Sequence, residues 1–192
     1  MSEANLRTRR WSRVEYGTMI DKSVFRPGEK LELLAGQLVV REPQGDPHAF
    51  AIELAHEALR IAFGPEWRIR VLLPVALDEE SEPEPDISVA QGPLRRDSEA
   101  KPSRLTLVVE IAESNLAIER DFKGSLYARA GVPEYWIVNL TARRLEVYRE
   151  SGPDASALYG WAYRSRQDLS AEEHVSPLAA PTERIAVATL LP

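Results

Sequence analysis

The segment RLTLVVEIA, from Arg104 to Ala112, constrains the fold of this chain more than any other. Its apolar and β-branched side chains suit a strand that is buried on both faces, so we predict a central strand of a sheet. A predicted helix follows from Leu116 to Ala130, and the strand EYWIVN comes after Gly131 and Pro133. The apolar positions of that helix step by four: Ile118, Phe122, Leu126 and Ala130. This order predicts a β-α-β unit with two parallel strands.

Upstream of this unit, turn signals separate further predicted elements. A helix is expected around Ser12 to Ile20, followed by the β-hairpin LELLAGQLVV, which turns at Ala35 and Gly36. A second helix is expected to begin with Asp46 as its cap and to end at Gly64. Its apolar stripe is predicted at Phe50, Leu54, Ala58 and Ile61.

The remaining predicted elements are strands. They cover Trp67 to Leu77, Asp86 to Ala90, RRLEVYRE after a turn near Thr141, and Trp161 to Arg166. We therefore predict an α/β protein with a mixed central sheet flanked by helices and an N-terminal hairpin. Because 192 residues suit one domain, a single domain over 1–192 is expected, with a C-terminal strand and tail at 151–192.

Composition excludes several classes of function. The chain has no cysteine, which excludes disulfides, thiolate metal sites and a cysteine nucleophile. It lacks an apolar run long enough to span a membrane and an N-terminal signal segment, so a cytoplasmic location with no membrane partner is expected. The net charge of -6 argues against non-specific coating of nucleic acid. We expect the acidic stretch Asp78 to Glu84, and the cluster Arg7, Arg9, Arg10 and Arg13, to be solvated.

Two acids fall where a carboxylate needs a partner. Asp86 follows Pro85 at a predicted strand start, and Glu110 lies in the apolar strand on the face shared by Val108 and Ala112. Two carboxylates about 4 Å apart repel by roughly 4 kcal/mol at an effective dielectric near 20, which a bound cation would reverse. Oxygen-only ligands favour Mg²⁺, Mn²⁺ or Ca²⁺ over zinc.

Lys123 has two interpretations. It lies on the helix after the Glu110 strand, from which its ammonium could reach back and stabilise charge developing on a phosphate. Glu119 and Lys123 also have the i, i+4 spacing of an ordinary pair on a helix surface. Spacing alone leaves both interpretations open.

A resemblance extends these predictions. The Pro85–Asp86 pair and VVEIAESNLAIERDFKGSLYARAGVPEYWIVN, from 108 to 139, resemble the Uma-type restriction endonuclease family, a branch of the PD-(D/E)XK nuclease superfamily. The hairpin and His48 resemble the family's N-terminal part. The resemblance covers roughly Leu31 to Glu150 and implies a restriction endonuclease-like core at about 25–150.

The resemblance implies roles for particular residues. Asp86 and Glu110 correspond to acidic metal ligands of Mg²⁺ or Mn²⁺, with the backbone carbonyl of Ile111 completing the inner shell. The superfamily's lysine two residues after the second acid would be Ala112, so the resemblance implies Lys123, on the next helix, as the catalytic lysine.

Four further positions correspond more loosely to the family. Glu32 resembles an N-terminal acid that can join the metal shell, and its alternative is an exposed strand acid. Glu119 falls at a position where an acid can support Lys123. Ser114 falls in the loop after the Glu110 strand, where its hydroxyl can support the site or cap the next helix. His48 can face the site from its helix start.

Three hypotheses for function remain open. The first is a metal-dependent endonuclease that hydrolyses DNA. The second is a nuclease-fold protein with weak or no activity that binds nucleic acid or a protein partner. The third is a self-association module, since strands near EYWIVN and the hairpin offer edges for a homodimer. Neither a Gly-rich phosphate loop nor a G-x-S-x-G motif is present, and Glu53 and His56 are assigned to a solvated helix face.

Overall fold

The computed structural model describes residues 8–41, 43–95, 98–114 and 116–192, so Arg7 lies outside the described residues. These residues form three α-helices: α1 (Arg13–Asp21), α2 (Asp46–Phe63) and α3 (Gly124–Arg129). A π-helical segment, Ile118–Lys123, leads directly into α3. The strands are β1 (Leu31–Leu34), β2 (Gln37–Val40), β3 (Trp67–Val71), β4 (Ile87–Gln91), β5 (Leu107–Ala112), β6 (Glu134–Asn139), β7 (Arg144–Pro153), β8 (Trp161–Ser170), β9 (His174–Val175) and β10 (Ile185–Ala186).

A six-stranded mixed sheet of order β3-β4-β5-β6-β7-β8 forms the centre of the fold. Strand β5 pairs antiparallel with β4 and parallel with β6, so the predicted central strand and β-α-β unit are confirmed. Every residue of β5 and β6 is buried, because helices and connecting segments cover both faces. The predicted α/β class with a mixed sheet is therefore correct.

The two faces of the sheet pack into separate cores. On one face, side chains such as Val109 and Trp136 pack against α2 and the C-terminal segment that contains Val187. On the other face, Val108 and Ile137 pack beneath α3. Glu110 belongs to this second face, as its alternation with Val109 predicts.

The N-terminal elements match their sequence signals. Strands β1 and β2 form a separate hairpin whose turn residues, Ala35 and Gly36, have φ values of 48° and 80°. Positive φ at both central residues is what a type I′ turn requires, one of the two turns favoured in two-residue hairpins. Helix α1 begins with a capping box, in which the Ser12 side chain accepts from the Glu15 N–H and the Glu15 carboxylate accepts from the Ser12 N–H.

Helix α2 shows two differences from the prediction. Its N-cap is Gly45, and Asp46 is the first helical residue rather than the cap. The predicted apolar stripe is wrong at both ends, since Phe50 is 52% exposed and Ile61 is 66% exposed, whereas Ala58 packs against the core as predicted. The buried side of α2 carries the apolar residues Ala51, Ile52, Ala55, Leu59 and Phe63. The small alanines on that side let the helix approach the sheet closely, so side-chain size as well as periodicity decides which side is buried.

Several strand predictions change in extent or position. Strand β3 ends at Val71 rather than Leu77, because Leu72 adopts a left-handed φ of 49°. The strands predicted from Asp86 and Arg104 begin at Ile87 and Leu107, whereas β7 and β8 run longer than predicted. EYWIVN pairs on both sides, so it offers no edge for a homodimer, and the outer strands of this sheet are β3 and β8.

The acidic stretch is not solvated as expected. Ser81 is fully buried, and Glu82 is 4% exposed and pairs with Arg13 and Lys101. Asp78 pairs with Arg129. The stretch therefore links α1 to α3 through ion pairs. In the part of the chain that the structure describes, no helix is both long and apolar enough to cross a membrane.

Candidate active site

One pocket contains all eight residues predicted for the site. It has a volume of about 140 Å³. The start of β4 and the end of β5 form its floor, and the hairpin, the start of α2 and the π-helical segment surround it. The predicted residues that line it are Glu32, His48, Asp86, Glu110, Ile111, Ser114, Glu119 and Lys123. The fold thus brings together positions that are up to 91 residues apart, from Glu32 to Lys123.

Asp86 and Glu110 hold each other through reciprocal hydrogen bonds across β4 and β5. The backbone N–H of Asp86 donates to Glu110 Oε2 at 3.2 Å. The backbone N–H of Ile111 donates to Asp86 Oδ2 at 2.8 Å. Asp86 is 2% exposed and Glu110 is 1% exposed, so both carboxylates are fixed in a low-dielectric setting. The roles given to the two acids and to the Ile111 carbonyl remain predictions.

Lys123 and Tyr127 approach the same oxygen of Glu110. Lys123 Nζ donates to Glu110 Oε1 at 3.0 Å, and the Tyr127 hydroxyl donates to that oxygen at 2.7 Å. Burial raises the pKa of Glu110 well above its usual value. The neighbouring carboxylates raise this pKa further, whereas the positive charge of Lys123 lowers it. Burial also raises the pKa of Tyr127, and Glu110 adds to that effect, so the phenol stays a neutral donor.

The π-helical segment explains why Lys123 faces inward. Glu119, Lys123 and Tyr127 step by four residues, which exceeds one turn of an α-helix and falls short of one π-turn. The step from Glu119 to Lys123 lies in the π-helical segment and falls short of a full turn, whereas the step from Lys123 to Tyr127 lies in α3 and exceeds a full turn. These two angular offsets have opposite signs, so the three side chains lie along one side of the helix. The predicted apolar stripe is wrong at its first two positions, since Ile118 is 38% and Phe122 is 44% exposed whereas Lys123 is buried. Leu126 is buried, as predicted.

Lys123 is surrounded by carboxylates. Besides Glu110, its Nζ lies 3.5 Å from Glu119 Oε2 and 3.9 Å from Glu32 Oε2. Burial lowers the pKa of Lys123, but these carboxylates outweigh burial and hold that pKa well above its usual value. The Glu119–Lys123 contact is therefore an inward-facing pair of the pocket rather than an exposed helix-surface pair. Burial raises the pKa of Glu119, against the effect of Lys123.

The hairpin contributes a second cation, Arg41, directly after β2. Its guanidinium lies 3.6 Å from Glu32, 3.4 Å from Glu84 and 3.3 Å from Asp86. Glu32 is 2% exposed and also accepts from the backbone N–H of Glu84 at 3.1 Å. Glu32 is therefore a buried acid of the pocket and not an exposed strand acid.

Helix α2 adds His48 to the pocket wall. His48 Nε2 lies 3.2 Å from Asp86 Oδ2, and Gln44 Nε2 donates to Asp86 Oδ1 at 3.4 Å. Burial raises the pKa of Asp86, but the interactions with His48, Lys123 and the Ile111 N–H outweigh it, so the pKa lies below its usual value. Ser114 lines the pocket and is exposed.

The pocket has an excess of negative charge. Five carboxylates, from Glu32, Glu84, Asp86, Glu110 and Glu119, approach the two cations Arg41 and Lys123. Glu119 Oε2 is buried, and no described residue gives it a hydrogen bond of suitable geometry. In the described ranges, no group of three or more acids or histidines is arranged to hold a metal ion. A pair of carboxylates nevertheless suits Mg²⁺, which typically binds one or two carboxylates and keeps several waters.

Sequence reasoning missed the pocket residues Arg41, Gln44 and Glu113, and also Tyr127, which contacts Glu110 from α3. Arg41 follows the apolar strand end LVV, where an arginine looks like a solvated loop residue. Tyr127 is four residues after Lys123 and eight after Glu119, and this repeated step was a signal that could have found it.

The fold and the acidic pocket define the class of this protein as a mixed α/β, nuclease-like fold. A solved structure titled a putative nuclease belonging to DUF820, from Anabaena variabilis, is similar with a TM-score of 0.68 at 16% identity. The similarity covers 94% of this chain and 97% of that one. Among curated proteins, none matches.

The sequence places the chain more specifically. The family described as "Uma2: Putative restriction endonuclease" matches residues 14–186. The chain belongs to this family, which confirms the resemblance drawn from the motif residues.

Proposed function

We propose that this protein is a metal-dependent endonuclease that hydrolyses phosphodiester bonds of DNA. The observation that carries the proposal is the pair of interlocked carboxylates, Asp86 and Glu110, with Lys123 3.0 Å from Glu110. Membership of the restriction endonuclease family supports it.

Asp86 and Glu110 would hold the metal ion, with Mg²⁺ or Mn²⁺ as the ions suited to carboxylate oxygens. When bound, such an ion supplies Lewis-acid stabilisation of phosphoryl charge and lowers the pKa of a bound water. Glu32, Glu113 and Glu119 are the further acids that line the pocket.

Side chains and backbone groups of the site would hold the Glu110 carboxylate in place and balance the negative charge of the phosphate. Lys123 carries its positive charge in a buried setting, where it can stabilise negative charge that develops on a phosphate. Tyr127 and the Asp86 N–H fix the Glu110 carboxylate, so little reorganisation is needed during the reaction.

Cleavage assays test this proposal. Supercoiled, linear and single-stranded DNA are incubated with Mg²⁺, Mn²⁺ or EDTA and with wild type, Asp86→Asn, Glu110→Gln or Lys123→Met. Glu53→Gln, an exposed acid of α2, is the control. We expect metal-dependent cleavage by wild type and control and a loss of at least 100-fold in the three site variants. Equal cleavage by Glu110→Gln and wild type would refute the assignment.

A second candidate is a nuclease-fold protein that binds nucleic acid or a protein partner without cutting. It is favoured by the ion pairs of Lys123 with Glu110 and of Arg41 with Asp86, which already partly neutralise both carboxylates. Tight, salt-sensitive DNA binding with no turnover under any metal would support this candidate over the first.

A further inference from the structure

A basic groove lies along the edge strand β3, on residues that do not line the active-site pocket. It has a volume of about 670 Å³, and its walls include His56, Arg60, Trp67, Arg68 and Arg70. None of its described lining residues is an aspartate or glutamate, although acids outnumber lysine and arginine in the chain by 30 to 24. The groove therefore concentrates positive charge on an acidic protein.

Among the residues that the structure describes, Arg68 and Arg70 have no carboxylate partner, unlike the other half-buried arginines. Arg68 Nη1 donates to the Glu99 carbonyl at 3.2 Å, and Arg70 Nη2 donates to the Pro74 carbonyl at 2.9 Å. The Nε atoms of both are buried, and neither has a hydrogen-bond partner in the part of the chain that the structure describes. Within the described residues, neither guanidinium forms an ion pair. By contrast, carboxylates pair with Arg13, Arg41, Arg120, Arg129 and Arg149.

This arrangement has an energetic cost. Two guanidinium groups on the same face of one strand repel each other, and partial burial removes the water that would screen them. Burial lowers the pKa of Arg70, and the charge of Arg68 lowers it further. Edge strands often carry charges that prevent aggregation, but exposed side chains suffice for that purpose. Two half-buried arginines that lie in one groove, with no carboxylate partner in the described ranges, point instead to an anion from outside the chain.

We propose that this groove binds the phosphodiester backbone of nucleic acid, with Arg68 and Arg70 donating to phosphate oxygens; this inference rests on the proposed function. Among the described residues, Nη2 of Arg68 and Nη1 of Arg70 have no acceptor, so each guanidinium has a terminal nitrogen that can donate to a phosphate oxygen. Arg60 is already paired with Glu57, so the two β3 arginines carry the contact.

The register relates the groove to the candidate active site. Arg70 lies opposite Ser88 on β4, and Asp86 is two residues before Ser88 on the same face. Two residues of a strand span roughly 7 Å. The backbone N–H of Leu72 donates to the Asp86 carbonyl at 3.1 Å, which ties the end of β3 to the acid. A nucleic acid held on β3 therefore has its backbone contacts near the proposed site of cleavage.

A DNA-binding titration in EDTA tests the inference without cleavage. Fluorescence anisotropy of a labelled duplex is measured over a range of salt for wild type, Arg68→Gln/Arg70→Gln, and the charge-matched control Arg26→Gln/Arg184→Gln. The control arginines are exposed. We expect the groove variant to bind about 10-fold more weakly than the control and to lower the salt slope by about 1.8, the value for two lost phosphate contacts. Thermal unfolding of both variants checks that they are folded.

The outcomes separate this inference from the proposed function. If the groove variant binds like the control while wild type cleaves DNA, the inference is wrong and the nuclease proposal stands. If wild type binds through these arginines but never cleaves, the inference stands and the nuclease proposal is wrong. Absence of DNA binding by wild type, or displacement of the duplex by poly-glutamate as readily as by unlabelled DNA, overturns the inference.

Discussion

Replacing Glu146 by glutamine tests how the sheet holds the segment that carries Lys123. Glu146, on β7, is fully buried and accepts from Arg120 Nε at 2.8 Å, Asn139 Nδ2 at 2.9 Å and the Tyr148 hydroxyl at 2.7 Å. Arg120 belongs to the π-helical segment, so this ion pair anchors that segment to the sheet.

The pKa of Glu146 gives the size and sign of the effect. Burial raises this pKa, but hydrogen bonds from Arg120, Asn139 and Tyr148 lower it more, to about 2 from an ordinary 4.5. At about 1.4 kcal/mol per pKa unit, such a shift corresponds to roughly 3 kcal/mol, which solvent at the partly exposed Arg120 reduces. Since the pKa is lower in the folded state, this stabilisation is present above pH 4.5 and is lost as the pH falls towards 2.

Urea denaturation of wild type and Glu146→Gln from pH 7 to pH 2.5 measures this difference. We expect glutamine to lower the free energy of unfolding by about 2–3 kcal/mol at pH 7, with the gap shrinking below pH 4.5. Glu57→Gln, which removes an exposed ion pair with Arg60, serves as the control. A gap that stays constant over this range of pH would refute the electrostatic explanation and indicate a packing effect.

Three further predictions concern the pocket and the core. Tyr127→Phe removes a hydrogen bond to a buried carboxylate worth about 1.5–3 kcal/mol, so DNA turnover should fall at least 10-fold while circular dichroism is unchanged; wild-type turnover would contradict this. Mg²⁺ at about 100 times its Kd should stabilise wild type by about 2.7 kcal/mol in thermal unfolding, and a similar gain in Asp86→Asn would argue against Asp86 as a ligand. Leu59→Ala should cost about 2–5 kcal/mol in urea, whereas Ile61→Ala, at 66% exposure, should cost under about 0.5; equal costs would contradict the observed burial.

The candidate site was predictable where a local pattern marked it. Glu110 stands out as a charge within an apolar strand, and Asp86 directly precedes the neighbouring strand β4, whose antiparallel pairing with β5 brings the two acids together. The direction of Lys123 was not predictable from spacing, because the π-helical segment changes which side chains face the sheet. That segment buries a lysine and exposes Phe122, the reverse of what hydrophobic periodicity indicates.

The sequence by itself determined the central strand, the parallel β-α-β unit, the hairpin turn and the two acids, because each follows from backbone preference or from the period of a single element. Only the tertiary structure decided which charges meet. Arg41 reaches Asp86 across 45 residues, and Arg68 and Arg70 share a groove without a carboxylate in the described residues. The physical reason is that ion pairing and burial depend on how distant elements pack, which no local pattern encodes.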